Sequence, residues 1–440
     1  MRYLSHSDAD RREMLASIGV SSMDDLFADI PQAVTEQFRS IGRRGLSEQE
    51  VVSTLSELAA RNRADEHACF VGGGVYDHYA PSLVDHVLLR SEFYSAYTPY
   101  QPEISQGTLT AMFEFQTMIC ELTGMDVANA SMYDGATAAA EAVLMAERLT
   151  HRGRVAVAGT LFAHVRRVLD TYGWASGIEI VELPHLPSGA CDLSNLPGDI
   201  SALVLQSPNA FGVIEPLEGV KDRIGDALLV VSTHPISLGL LAPPGHFGAD
   251  LVVGEGQPLG LPMAFGGPLL GLFASKKEYL RQMPGRVSGR TVDADGTVGY
   301  TMAAQTREQH IRRERATSNI CTNSALCALA ATVYLASVGA GGLRQVGELC
   351  AGKAHYLAER ITALDGFEMP FSGPFFNEFV VQVPGDAVAL HRRLLDAGVL
   401  LESPDGLRMH GLENALRIAV TEKRSRDQLD RLVDLLGGAR

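Results

Sequence analysis

The chain has 440 residues, too many for one ordinary hydrophobic core, so two or more folding units are expected. Hydrophobic residues make up 46% and charged residues 20% of it, with no low-complexity tract, which excludes a disordered or fibrous protein. A net charge of −15 leaves no broad basic face for phosphates, so no nucleic-acid partner is expected.

The opening residues, Met1-Arg2-Tyr3-Leu4-Ser5-His6-Ser7-Asp8, lack the apolar run of a signal peptide. The cysteines Cys69, Cys120, Cys191, Cys321, Cys327 and Cys350 are scattered and form no CxxC pair. Reduced thiols, no metal site and a cytoplasmic location are the expectation.

Residues 8–63 predict helices. Leu15 and Ile18, Leu26 and Phe27, then Val51, Val52, Leu55 and Leu58 recur at helical spacing, with a break at Pro31. A helical arm over 1–65 follows. The segments Phe70 to Pro81 and Tyr94 to Gly107 are rich in Gly, Pro and Tyr, which suits packing against another surface better than a solvent linker.

A helix is predicted from 108 to Gly124, carrying Leu109, Met112, Phe113, Met118, Ile119 and Leu122. Asp134 caps a second, alanine-rich helix reaching about Leu149. Strands and helices then alternate. The strands are Val155–Ala158, Ile178–Leu183, Ala202–Leu205, Leu228–Val231, Leu251–Val253 and Leu269–Ala274, with helices at Leu161–Tyr172 and Leu217–Ile224 between them. This pattern predicts a mainly parallel sheet covered by helices, an α/β domain over 66–338. Helices are predicted at 302–316 and 323–363.

The uncharged stretch Ser324 to Leu343 approaches membrane-spanning length. It is dominated by small residues and ends in Gly339-Ala340-Gly341-Gly342, a helix stop. A helix buried in a large domain, not a membrane span, is expected. Residues 339–440 form a smaller α/β pattern: strands Glu378–Val383 and Leu416–Thr421, helices Ala387–Ala397 and Asp427–Leu436.

Several segments resemble the glycine cleavage P-protein family, in its first-half subunit. They are Gly72-Gly73-Gly74-Val75-Tyr76-Asp77-His78-Tyr79, Tyr97-Thr98-Pro99-Tyr100-Gln101-Pro102-Glu103-Ile104-Ser105-Gln106-Gly107 and Tyr133-Asp134-Gly135-Ala136-Thr137. Pro284-Gly285-Arg286, the run from Gln305 to Glu314, and Ala316-Thr317-Ser318-Asn319-Ile320-Cys321-Thr322 resemble it too, in the same order. The resemblance implies a fold-type-I pyridoxal-phosphate architecture, transferase-like, with a large three-layer domain and a small C-terminal α/β domain. A single-chain glycine decarboxylase holds two such halves, and this chain has room for one. The resemblance therefore implies a second, catalytic subunit as partner, two of each in the assembly. It also implies the lipoylated H-protein as partner, glycine as substrate, and no membrane.

Pyridoxal-phosphate chemistry needs a lysine to hold the cofactor, an acid beside the pyridine nitrogen, and a phosphate cup at a helix N-terminus. The only lysines are Lys221, Lys276, Lys277, Lys353 and Lys423. By order along the chain, Pro258 or a neighbour in Gly254-Glu255-Gly256-Gln257-Pro258 stands at the lysine position. Val231, in Val231-Ser232-Thr233-His234, stands where the acid belongs. Asp134-Gly135-Ala136-Thr137 keeps the shape of a phosphate cup and is equally a plain helix cap. No covalently bound cofactor and no catalytic residue are expected in this half, with pyridoxal phosphate in the partner subunit. The alternative is a self-sufficient pyridoxal-phosphate enzyme using Lys276 or Lys277.

Tyr76, Asp77, His78, Tyr97, Tyr100, Gln101 and Glu103 are candidates to line the partner's pocket or the lipoyl path, or to pack the interface. Arg307, His310, Arg312, Arg313 and Arg315 alternate with Glu308 and Glu314. They predict either a self-paired solvated helix face or an interface that meets a partner's carboxylates or phosphate. Arg286, Thr317 and Asn319 belong to the same candidate interface. His164 and His234 are isolated, and a core or turn role is expected for each.

Overall fold

A computed structural model describes residues 6–37 and 45–438. The chain divides into two compact units, Met1–Arg63 and Ala64–Arg440.

The first unit is helical. Helix α1 (Asp8–Ile18) starts at a capping box between Ser7 and Asp10 and ends at Gly19, whose φ is +87°. Helix α2 (Glu48–Ala59) starts at the same device between Ser47 and Glu50. Neither helix buries a residue. Ile18, Met23, Phe27, Val34, Val52, Leu55 and Leu58 are each more than half exposed.

The second unit is built on a seven-stranded sheet. Its strands are β1 (Val127–Ala128), β2 (Arg154–Ala158), β3 (Glu179–Leu183), β4 (Ala202–Ser207), β5 (Leu228–Thr233), β6 (Leu251–Glu255) and β7 (Gly271–Ser275). They lie in the order β1-β7-β6-β5-β4-β2-β3. Only β7 runs against its neighbours. Strands β4 and β5 are buried at every residue, as continuous apolar runs covered on both faces must be. Helices α3 (Gln106–Thr123), α4 (Gly135–Thr150) and α5 (Ala163–Ser176) pack beside them. Small residues of α4, among them Ala138, Ala139, Ala142 and Ala146, enter the sheet's core cluster and allow a close approach.

Helix α6 (Ala325–Thr362) runs between two cores. It is long and apolar enough by composition to cross a membrane, yet Ala328, Ala330, Ala331 and Tyr334 sit in the sheet's core. Beyond a kink at Gly339, whose φ is +62°, Leu357 and Ile361 enter a second core. That core includes Phe379 and Val381 of β8 (Glu378–Gln382) and Leu390 and Leu394 of α7 (Ala387–Asp396). Ile418 of β9 (Ala415–Ala419) and Leu432 and Leu436 of α8 (Arg426–Gly437) complete it. Strand β9 pairs antiparallel with β8. Phe70 is buried in this second core, and Ala68 and Cys69 pair with Val399 and Leu400.

The expected helix over 302–316 is absent. Val298–Ala303 is instead a strand paired antiparallel with Val287–Val292. After it come three short turns at Gln305–Arg307, Gln309–Arg312 and Arg313–Arg315. Ala304 and Arg313, with φ of +53° and +52°, interrupt helical geometry on either side.

Candidate functional site

A cavity of roughly 70 Å3 opens at the C-terminal ends of β4, β5 and β6, where α/β sheets hold their ligands. Its wall includes Tyr76, Phe162, His164, Gln206, His234, Glu255 and Pro258. The glycine-rich segment before Tyr76 reaches it by close backbone approach. A Cβ on Gly72 would sit 2.5 Å from the Glu378 carboxylate, and Gly73 has a φ of +76°.

Tyr76 is 3% exposed and held on every side. Gln257 accepts from its backbone N–H at 2.9 Å and donates to its carbonyl at 3.0 Å. The ring stacks on His234 at 4.5 Å, and the hydroxyl donates to Glu378 at 2.7 Å. Glu378 also meets Arg417 at 3.3 Å, and Arg417 pairs with Glu402 at 2.5 Å. Burial pushes the Glu378 carboxyl up to about 7, against the pull of Arg417 and the Tyr76 hydrogen bond. Burial and the Glu378 charge raise the Tyr76 phenol well above its ordinary value.

His78 is also buried, and its Nδ1 lies 2.7 Å from Glu422. Burial opposes ionisation of Glu422, yet the hydrogen bond and charge of His78, with the Tyr79 N–H, hold it at about 2. His78, Cys350 and Glu422 place ligand atoms within 4.8 Å of one another. The Glu422 carboxylate is already paired with both neighbours, at 2.7 Å and 3.5 Å. Asp77 forms ion pairs with Lys423 at 2.6 Å and Arg424 at 2.7 Å.

The cavity does not fit pyridoxal phosphate. At roughly 70 Å3 it is well below the ~300 Å3 at which small-molecule pockets begin. No lysine lines it. Lys221 and Lys276 both pair with the buried Asp250, at the opposite end of the sheet. Asp250 precedes β6 and Glu255 ends it, about 16 Å away at ~3.3 Å per residue. Lys277 follows the same edge, its N–H donating to Asp126. Neither Lys276 nor Lys277, the two lysines of the alternative self-sufficient reading, lines the cavity. Lys353 donates to the Glu422 carbonyl, and Lys423 to Asp77.

In the segment Gly254 to Pro258, Gln257 is fully buried and locked to Tyr76, and Pro258 is in the cavity wall. Val231 belongs to the sheet's core, and Ser232, Thr233 and His234 line the cavity beside it. The phosphate cup is closed by the chain itself. Asp134 accepts from the Thr137 N–H at 2.8 Å. Glu255 accepts from the N–H groups of Gly135, Gln257 and Leu270, each at 2.9 Å. A carboxylate of the protein thus takes one of the N–H groups that the start of α4 offers to an anion. Burial raises this carboxyl to about 7, against the three N–H donors.

The remaining candidates gather elsewhere. Arg286, 3% exposed, donates to Thr98 at 2.9 Å, Thr322 at 3.2 Å and the Tyr100 hydroxyl at 3.3 Å. It thereby ties the Tyr97–Gly107 segment to the entry of α6. Tyr97, 86% exposed, lines a second cavity of about 210 Å3 over Arg286. Gln101 and Glu103 are exposed on the same segment. The expectation of a self-paired helix over 307–315 fails. Arg307 and Glu308 are buried, Arg312 donates to the Thr306 carbonyl, and Arg313 and Asn319 are exposed. Thr317 is fixed by its N–H to the Arg307 carbonyl.

His234 does cap a turn, its Nδ1 accepting from Ile236, but it and His164 also form cavity wall. The position of His234 just after a parallel strand was the available signal. Glu255, Glu378, Arg417 and Glu422 carry the site's charge and stand out in the sequence by no motif.

The description "Glycine cleavage system P-protein" fits residues 1–436 of the chain as a family model. The chain belongs to the glycine cleavage system P-protein family. A probable glycine dehydrogenase (decarboxylating) subunit 1 from Carboxydothermus hydrogenoformans is 51% identical over 452 residues, covering all of both chains. A crystal structure of glycine decarboxylase, the P-protein of the glycine cleavage system, in inhibitor-bound form, matches with a TM-score of 0.93 at 42% identity, again over all of both chains. A glutamate decarboxylase from Lactobacillus brevis matches with a TM-score of 0.68 at 12% identity, covering 95% of this chain and 96% of its own. That last likeness speaks for the fold alone. The expected fold-type-I α/β architecture holds, and the P-protein reading of the sequence motifs holds with it. The relative's designation as subunit 1 implies a second subunit.

Proposed function

We propose that this chain is the non-catalytic subunit of a two-chain glycine decarboxylase, working with a second, cofactor-bearing subunit in the cytoplasm. The observation that carries the reading is the lining of the cavity at the strand ends: Glu255 accepts from the Gly135 N–H at the start of α4, Gln257 is bonded to Tyr76, and no lysine lies in the wall. Pyridoxal phosphate, held by the second subunit, supplies the electron sink for loss of carbon dioxide from glycine. The aminomethyl group then passes to the lipoamide of the H-protein, in an assembly with two of each subunit.

This chain's part is to shape that site from outside. Arg286 fixes Thr98 and Tyr100, so the exposed Tyr97, Gln101 and Glu103 are presented on a braced loop. Tyr76 and His78 are held too deeply in this chain's own framework to reach a partner. Their role is to brace the second core against the sheet. The apolar side chains that the arm leaves uncovered, Val52, Leu55 and Leu58 among them, favour a partner chain as their cover.

The test is reconstitution. The purified chain with added pyridoxal phosphate should show no cofactor band, and borohydride should trap none. Mixed with the second subunit and H-protein, it should restore exchange of the glycine carboxyl with bicarbonate. Exchange by this chain alone would overturn the proposal, as would full exchange by the second subunit without it.

A further inference from the structure

Net charge −15 makes one feature of the surface conspicuous: a cavity of about 640 Å3 whose only charged groups are arginines. Arg281, Arg307, Arg312 and Arg315 line it, together with Thr306 and Thr317. No carboxylate is in its wall.

Arg307 is the anchor. It is 8% exposed, and one of its terminal nitrogens donates to the Met283 carbonyl. Its Nε and its other terminal nitrogen are buried with no hydrogen-bond partner. A buried guanidinium with two orphaned nitrogens is costly unless an acceptor completes it. Arg312 uses its Nε on the Thr306 carbonyl at 3.1 Å, which orients the fork. Arg315 has only Glu314 nearby, at 3.9 Å and with both side chains mostly exposed, so it stays available. The Thr317 N–H to the Arg307 carbonyl, at 3.0 Å, closes the loop around the cavity.

We propose that this cavity is an anion-binding site that takes the phosphate group of a small phosphorylated molecule. Four guanidinium groups lining one cavity repel one another, and a phosphate dianion relieves that repulsion. Guanidinium forks match phosphate oxygens in pairs, and three terminal oxygens engage more than one fork where a carboxylate offers two. The cavity is large enough for an organic body beyond the phosphate. The site is separate from the closed phosphate cup at Glu255, and it does not depend on the subunit role proposed above.

Binding of inorganic phosphate and pyrophosphate to the full-length chain is measured by titration calorimetry at constant ionic strength. One saturable site is expected, competed by sulfate and not by chloride. Arg307→Gln should weaken it roughly tenfold or more, as expected for loss of charge-assisted hydrogen bonds. Because Arg307 also bonds Met283, the exposed Arg312→Gln and Arg315→Gln variants serve as the second test. Each should weaken binding, and Arg315→Gln should do so while leaving thermal unfolding unchanged. Absence of binding at millimolar phosphate, or binding indifferent to both exposed variants, would overturn the proposal. So would expulsion of phosphate when the second subunit is added, which would make the cavity a subunit contact. Failure of reconstitution with phosphate binding intact would count only against the subunit role.

Discussion

The phenol of Tyr76 donates a 2.7 Å hydrogen bond to the carboxylate of Glu378, across 302 residues of chain. Both groups are buried, and the bond joins the glycine-rich segment at the sheet's cavity to the first strand of the second core. Tyr76→Phe removes the donor and leaves Glu378 to Arg417 and the Gly73 N–H. The expected cost is about 1.5–3 kcal/mol, the range for a hydrogen bond to a charged partner. Urea unfolding should show a lower midpoint with an unchanged slope; a midpoint within error of the parent would refute the linkage.

A buried carboxyl, Glu378, and a half-buried one, Glu422, act in opposite pH windows. Glu378 rises from 4.5 to about 7 on folding, so the folded state holds the extra proton between those values. Its contribution is present below pH 4.5 and is lost as pH rises through about 7. Glu422 falls from 4.5 to about 2, so its contribution is present above pH 4.5 and lost as pH falls toward 2. Melting temperature against pH should therefore flatten on the neutral side in Glu378→Gln and on the acid side in Glu422→Gln. Identical curves for parent and variants would rule this out.

Glu255→Gln is nearly isosteric and should still destabilise. Both carboxylate oxygens accept from backbone N–H groups, so the amide NH2 must face a donor. The cost is about 1–3 kcal/mol. Calorimetric melting reads it, and pyridoxal phosphate added to this variant should still give no visible band. A variant as stable as the parent would show that the cup is not filled as described.

Lys276→Ala with Lys277→Ala should leave glycine–bicarbonate exchange of the reconstituted enzyme unchanged. Asp250 keeps Lys221 at 2.7 Å, so the stability loss should be small, about 1 kcal/mol for a partly exposed pair. Loss of exchange without loss of stability would contradict the placement of these lysines.

The arm offers a direct test of assembly. Val52→Asp with Leu55→Asp places two charges on the exposed apolar face of α2. Co-purification with the second subunit should drop sharply, while the melting temperature of the chain alone stays within error because neither side chain is buried in it. Unaltered co-purification would remove the arm from the interface.

Six of the sheet's seven strands were legible, the central ones as short apolar runs bounded by turns and buried on both faces, whereas the two-residue edge strand Val127–Ala128 was not. The Asp134 cap, the break in helical geometry at Gly339, read as a helix stop, and the alternating strands and helices after residue 378 were legible for equally local reasons. The Val287–Ala303 hairpin was not. Its strands are half-exposed and rich in Gly, Thr and Ser, and the charges that follow imitate a helical pattern until Arg307 is seen buried.

The sequence by itself determined which amines this chain carries: five lysines, none of them in the segment Gly254 to Pro258. It also determined the family, through long segments kept in order. Only the tertiary structure decided which polar groups meet. Glu255, Gln257 and Glu378 are ordinary polar residues in the chain, and their roles depend on backbone N–H groups and a phenol brought from far away. A hydrogen bond acts over about 3 Å, whereas the sequence separations here run from a few residues to hundreds. No local pattern encodes such a meeting, and folding alone produces it.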